Sequence, residues 1–281
     1  MISIALGSDW HIGASTDKQI KRVLADMKLE NPDIIALLGD FNGGKYGAKA
    51  VRSIVRMARE AFPDTPIVAT LGNHDVWVAG KPIDKEMLVG YGSFRFGRPR
   101  PEVWRRNYED ARKHMKDAGV HFLDEDGPWR SEKFPGLVIF GHTLWYDNKN
   151  PQTNDKLYMP AGLEGDTDAY MYSRGIKAVE AQLDQLTTED TIRVFCSHFP
   201  IVYPGGRQGN DFAYGGPEWV GNMLAKEFNV RYFLNGHCHQ LWTGPVRFES
   251  GSDYGRPKAI IVPVSAETDL ESKTEPADKP E

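Results

Sequence analysis

Six short apolar runs in this chain each break off at a glycine, serine or asparagine, and a cluster of polar residues follows every break. The runs are 2–6 before Gly7-Ser8-Asp9, 34–38 before Gly39-Asp40, 67–71 before Gly72-Asn73-His74-Asp75, 137–140 before Gly141-His142, 192–196 before Ser197-His198, and 232–234 before Asn235-Gly236-His237. A continuous apolar run bounded by turn residues reads as a strand buried on both faces. Between the runs, apolar residues recur at helical spacing over 16–29, where Ile20, Val23, Leu24 and Met27 share one stripe, and over 48–62, 103–118, 176–186 and 219–228. Strands alternating with helices of this length predict βαβ units and an α/β fold, and open sheets of that kind bind ligands at the carboxyl ends of their strands.

Composition narrows the class. With 281 residues, 40% hydrophobic and 26% charged, the chain has the apolar material for one sizeable core. A net charge of -5 creates no general attraction for polyanions or anionic membranes, so any phosphate-binding site has to be local. Two cysteines, Cys196 and Cys238, are too few for a disulfide framework. Without a basic start before the first apolar stretch, or any apolar run near the ~20 residues of a membrane span, the expectation is a cytoplasmic protein with no membrane partner.

Two stretches break the alternation, 76–129 and 145–172. They are read as insertions, either over the site or as ordinary surface loops, in one domain spanning 1–268, with a disordered tail at 269–281 that is almost devoid of apolar residues.

The polar clusters contain Asp9, His11, Asp40, Asn73, His198, His237 and His239. In extended backbone, residues two apart point the same way, so Asp9 with His11, and His237 with His239, can each present a pair of donors to one side. Imidazoles mixed with carboxylates suit borderline divalent metals: manganese foremost, with iron, zinc or nickel as alternatives. Seven donors exceed the needs of one ion, which predicts two ions. Such a pair lowers the pKa of a shared water, so the expected nucleophile is a bridging hydroxide that attacks a phosphate monoester or diester in line.

The order Asp-x-His, Gly-Asp, Gly-Asn-His-Asp, a lone His after a strand, then Gly-His-x-His resembles the calcineurin-like metallophosphoesterases, from Asp9 to His239. The resemblance implies two packed mixed β-sheets flanked by helices, a four-layer sandwich with the site at the strand ends. It implies that Asp9, His11 and His239 hold one metal and Asn73, His198 and His237 the other, with Asp40 bridging. His74 would be the catalytic histidine that protonates the leaving oxygen, and Asp75 would orient its ring. No covalent phosphoenzyme is implied.

Each residue alone also has a plainer reading. His198 could be a structural histidine, Asp40 or Asp75 a turn or helix cap, and Cys238 a small core residue. His142 follows a strand as the ligand clusters do, but the family pattern puts no ligand there, which predicts a pocket or core position. The protein-phosphatase branch reads Gly-Asp-x-Val-Asp-Arg-Gly at its second motif. Here Gly39-Asp40-Phe41-Asn42-Gly43-Gly44 lacks the second Asp and the Arg, which disfavours that activity.

Eight basic residues lie between Arg95 and Lys116, with Phe94, Phe96, Trp104 and Tyr108 interleaved. They would suit a nucleotide or nucleic-acid substrate, or form a solvated helix face in which Arg105 and Lys113 pair with Glu109. The competing class is a metallophosphoesterase-fold binding or scaffold protein without turnover, which would typically have lost a ligand or His74. No His-Glu-x-x-His helix, phosphate-cradling Gly-x-x-x-x-Gly-Lys loop or dinucleotide fingerprint occurs.

Overall fold

The computed structural model describes residues 2–13, 15–43, 47–76, 101–145, 167–201, 217–237 and 258–264. In the larger sheet, β1 (Ile2–Ser8), β2 (Ile34–Leu38), β3 (Ile67–Thr70) and β4 (His121–Phe122) are parallel, and β8 (Lys258–Val264) pairs antiparallel with β1, giving the order β4-β3-β2-β1-β8. The smaller sheet is parallel, β5 (Leu137–His142), β6 (Ile192–Ser197) and β7 (Tyr232–Asn235) in that order. The larger sheet is therefore mixed, as the resemblance implied, and the smaller is wholly parallel among the described residues.

Strand alternation explains the layers. Ile4, Leu6, Ile34, Ala36, Leu38 and Val68 point from the larger sheet into a core shared with Leu137, Ile139, Val194, Cys196 and Leu234 of the smaller one. The intervening residues Ala5, Ile35, Leu37, Ile67 and Ala69 face the helices α1 (Asp17–Leu29), α2 (Ala48–Ala61) and α4 (Pro101–Asp117). Ile20 and Leu24, Val51 and Ile54, and Ala111 and Met115 are buried from that side. On the far face, Phe140 and Phe195 meet Val179 and Leu183 of α6 (Thr167–Leu183), and Val220 and Leu224 of α7 (Glu218–Lys226). Two sheets between two helical layers make the four-layer α/β sandwich. The runs are largely apolar because both faces of each strand are covered.

Local signals set several boundaries. Thr16 caps α1 in a reciprocal box with Gln19. From Pro101 onward, part of the expected insertion at 76–129 belongs to the fold: α4 packs on α2, β4 pairs with β3, and α5 (Leu123–Asp126) leads towards β5. Likewise α6 begins at Thr167, inside the expected 145–172 insertion. Residues 77–100 and 146–166 and the 269–281 tail lie outside the described residues. Among the described residues, no helix is long and apolar enough to cross a membrane.

Candidate metal centre

β1 ends at Ser8, and the chain turns at once. Asp9 and His11 have φ of 55° and 42°, and their amides donate to the carbonyls of Gly39 (3.1 Å) and Asp40 (2.8 Å). Extended-strand alternation is therefore not what brings their side chains together; a left-handed turn hung on the neighbouring loop does so. His237, at φ 68°, likewise lies beyond its strand, and its amide donates to both oxygens of Asp9 at 3.2 and 3.1 Å. Asp40 is a fourth such residue at φ 51°. Backbone of this kind costs about 1–3 kcal/mol per non-glycine residue and persists only where its surroundings hold it.

Gly39 and Gly72 let two loops touch backbone to backbone. Gly39 has φ 79°, and a Cβ there would strike Leu71 and Gly72; a Cβ on Gly72 would strike the Asp40 carboxylate. This approach sets Asp40 beside Asn73 and His74. Asp40, only 1% exposed, accepts from the His74 amide at 2.9 Å through Oδ1.

Around Asp40 the donor atoms converge. The Leu38 carbonyl can only accept, so His198 Nδ1 carries the proton that it donates there at 2.8 Å. Its other nitrogen, Nε2, lies 3.0 Å from Asn73 Oδ1, 3.5 Å from Asp40 Oδ1 and 3.2 Å from His237 Nδ1. His11 repeats the pattern. Its Nδ1 donates to the Asn42 carbonyl (3.4 Å), and its Nε2 lies 3.7 Å from Asp40 Oδ2 and 4.0 Å from Asp9 Oδ1. Each ring thus turns its other nitrogen towards the Asp40 carboxylate, and a carbonyl on the far nitrogen is how ligating histidines are held. Two groups have all their donor atoms within 4.8 Å of one another: Asp40, His198 and His237, and His11, Asp40 and His74. These residues fit divalent metal.

His74 is the departure, because its ring joins the second group. Nε2 lies 3.9 Å from Asp40 Oδ2, the ring meets that of His11 edge-on at 4.7 Å, and the side chain is 25% exposed. Asp75 does not orient that ring. Its oxygens accept from the amides of Asn42 (2.9 Å) and Gly72 (2.8 Å), so it fastens the two loops together instead. Burial pushes its carboxyl up to about 7, opposed by those amides.

His239, expected as a ligand, and Cys238 lie outside the described residues, as do Arg95, Arg98 and Arg100. His142 is buried at the end of β5, in register with Ser197. Its Nδ1 accepts from the Leu144 amide (3.0 Å), its Nε2 lies 3.9 Å from Asp124, and burial lowers its pKa. On α4, Lys113 pairs with Asp117 at 2.8 Å, one turn on from the expected Glu109, and Arg112 approaches Glu125 at 3.9 Å. Arg105 and Arg106 are exposed.

Two supporting residues escaped the sequence reading. Asn42 is fully buried against His74 and Asp75. Phe199 packs on the rings of His198 (5.1 Å) and His237 (4.4 Å), and its amide donates to the Thr143 carbonyl. Only Asn42 carried a signal, a polar residue two positions after Asp40.

Residues 2–241 match the sequence profile of the calcineurin-like phosphoesterases. Among solved structures, a Thermus thermophilus protein, TT1561, is similar at 14% identity and TM-score 0.47, over 83% of this chain and 80% of that one. A purple acid phosphatase from yellow lupin seeds is similar at 15% identity and TM-score 0.42, over 85% of this chain and 38% of the lupin protein. No curated protein sequence matches the chain significantly.

Proposed function

The chain belongs to the calcineurin-like phosphoesterase family, its buried histidine and aspartate groups support a phosphoesterase that binds divalent metal, and from that premise we propose a dinuclear enzyme that hydrolyses a phosphate monoester or diester. The observation that carries this reading is the convergence of histidine nitrogens on the Asp40 carboxylate. They form two donor groups that share this carboxylate, one with His11 and His74, the other with His198 and His237.

In this reading Asp9, His11 and His239 belong to one metal and Asn73, His198 and His237 to the other, with Asp40 between them. Two divalent ions, manganese foremost, would supply Lewis-acid stabilisation of the phosphoryl oxygens and a nucleophile of lowered pKa. The chain's own groups do the rest. His74 has the most open ring in its donor group and is suited to hand a proton from Nε2 to the leaving oxygen. Asp75 keeps the loop of His74 against that of Asp40, and Phe199 closes the apolar side of the His198 and His237 rings.

The experiment uses the purified chain, stripped of metal and reloaded with manganese, on a chromogenic phosphate monoester and the matching diester. Turnover that depends on the metal is expected, and the ratio of the two rates identifies the ester class. Absence of turnover on both, with metal bound, would sink the reading in favour of a binding or scaffold protein.

A further inference from the structure

Asn42 lies in the loop after Asp40 with none of its surface exposed. A buried amide costs about 1–3 kcal/mol when left unpaired, so the partners of this one are informative. Its backbone N–H donates to Asp75 Oδ1 (2.9 Å), its side-chain Nδ2 donates to the His74 carbonyl (3.1 Å), and its carbonyl accepts from His11 Nδ1 (3.4 Å). The His74 amide is held from the same loop by Asp40 Oδ1 at 2.9 Å. Residue 74 is therefore gripped at both its N–H and its C=O. α3 (Asn73–Val76) is a single turn of four residues, too short to fix its geometry by internal hydrogen bonds, so these outside contacts decide where the ring starts. With the side chain 25% exposed, packing alone does not aim it.

From this geometry we infer that Asn42 is a positioning residue for His74. Its carboxamide sets the direction of the imidazole, and with it the transfer of a proton to the leaving oxygen. The inference rests on the phosphoesterase reading for its kinetic consequence, while its geometric content stands apart from it.

Two variants of the full chain test it. Asn42→Leu keeps the volume and removes the donor; Asn42→Asp keeps the shape and turns an acceptor to the His74 carbonyl. Each is reloaded with manganese and assayed on two monoesters, one releasing a nitrophenolate that departs without a proton, the other an alkoxide that needs one. Expected is a fall in kcat of about 10–100-fold on the alkyl ester, the range for residues that orient a functional group from behind. Little change is expected on the nitrophenyl ester, and metal content stays at the wild-type level. Adding Asn42→Leu to His74→Asn should cause no further loss, because the two act through one ring.

Equal losses on both esters, losses that add to those of His74→Asn, or a loss of metal would overturn the inference. Should the wild-type chain hydrolyse no ester, the reading above fails. The crystal structure of either variant then decides the present claim by itself: a displaced His74 ring supports it, and an unmoved ring overturns it.

Discussion

The two ends of the strands bury polar groups in opposite ways. At the amino ends, cationic donors meet the acceptors. Arg59 donates to the carbonyls of Phe62, Pro63, Thr65, Ala118 and Gly119 below β3 and β4. Arg193 donates to those of Thr187, Asp190 and Phe228, and Arg130 holds the Asp190 carboxylate at 2.7 and 2.8 Å. At the carboxyl ends, the Asp40 carboxylate and the His198 and His237 rings bring potential metal-ligating atoms within 4.8 Å of one another, on loops bent through positive φ. The first arrangement carries its own countercharge. The second gathers groups that could hold a divalent metal, and the difference separates an end built on arginine from one suited to a metal.

Substitutions should divide along that line. Asp40→Ala is expected to have the largest effect, removing the bound metal and lowering turnover on the order of a thousandfold or more, read by elemental analysis beside kcat. His74→Asn comes next, with kcat down by about 10²–10⁴ and metal content largely kept. A His74 variant with full turnover on every ester would break the mechanistic half of the comparison.

At the other end the ranking reverses. Arg59→Met strips several carbonyls of their donor and should lower unfolding stability by about 1–3 kcal/mol in a denaturant titration, with kcat per folded molecule unchanged. The smallest effect concerns pH. The hydrogen bond from Arg130 holds the Asp190 carboxyl below its usual range. A folded pKa below the unfolded value of about 3.9 gives stability that is present above that value and lost as pH falls through the folded pKa. The stability gap between wild type and Asp190→Asn should therefore be flat from pH 7 to about 5 and close below about 4. It should stay under about 1 kcal/mol, since Arg130 is partly exposed. A gap that widens in acid would contradict the pairing.

Much of this was legible in the sequence, for identifiable reasons. The six runs are strands because both of their faces are covered, a condition that composition alone reveals. Periodicity placed the starts of α1, α2, α4 and α7 within two residues, whereas α6 begins at Thr167, well before the expected 176. β8 carries no clean sequence signal: Pro263 interrupts its apolar run, and proline is tolerated there because the strand lies at the sheet edge, opposite Ser3. β4 is only two residues long, too short for any period.

At the centre, residue types announced the chemistry, while the geometry came from tertiary contacts that no spacing encodes. Asp9 and His11 converge through a turn fixed by the carbonyls of Gly39 and Asp40, where a pleated strand had been expected. Asp75 binds backbone amides 33 and 3 positions away in place of the ring beside it. Asn42 gives no periodic sign of its role, because a buried amide between two loops is defined only once both loops are folded.

The most direct test of the central claim is a count of metal ions. Metal-free protein dialysed against manganese and analysed for bound metal should hold two ions per chain, and Asp40→Ala should lose that binding while Arg59→Met retains it. A wild-type chain that binds no manganese, iron, zinc or nickel, or an Asp40→Ala chain that still binds two ions, would contradict the account.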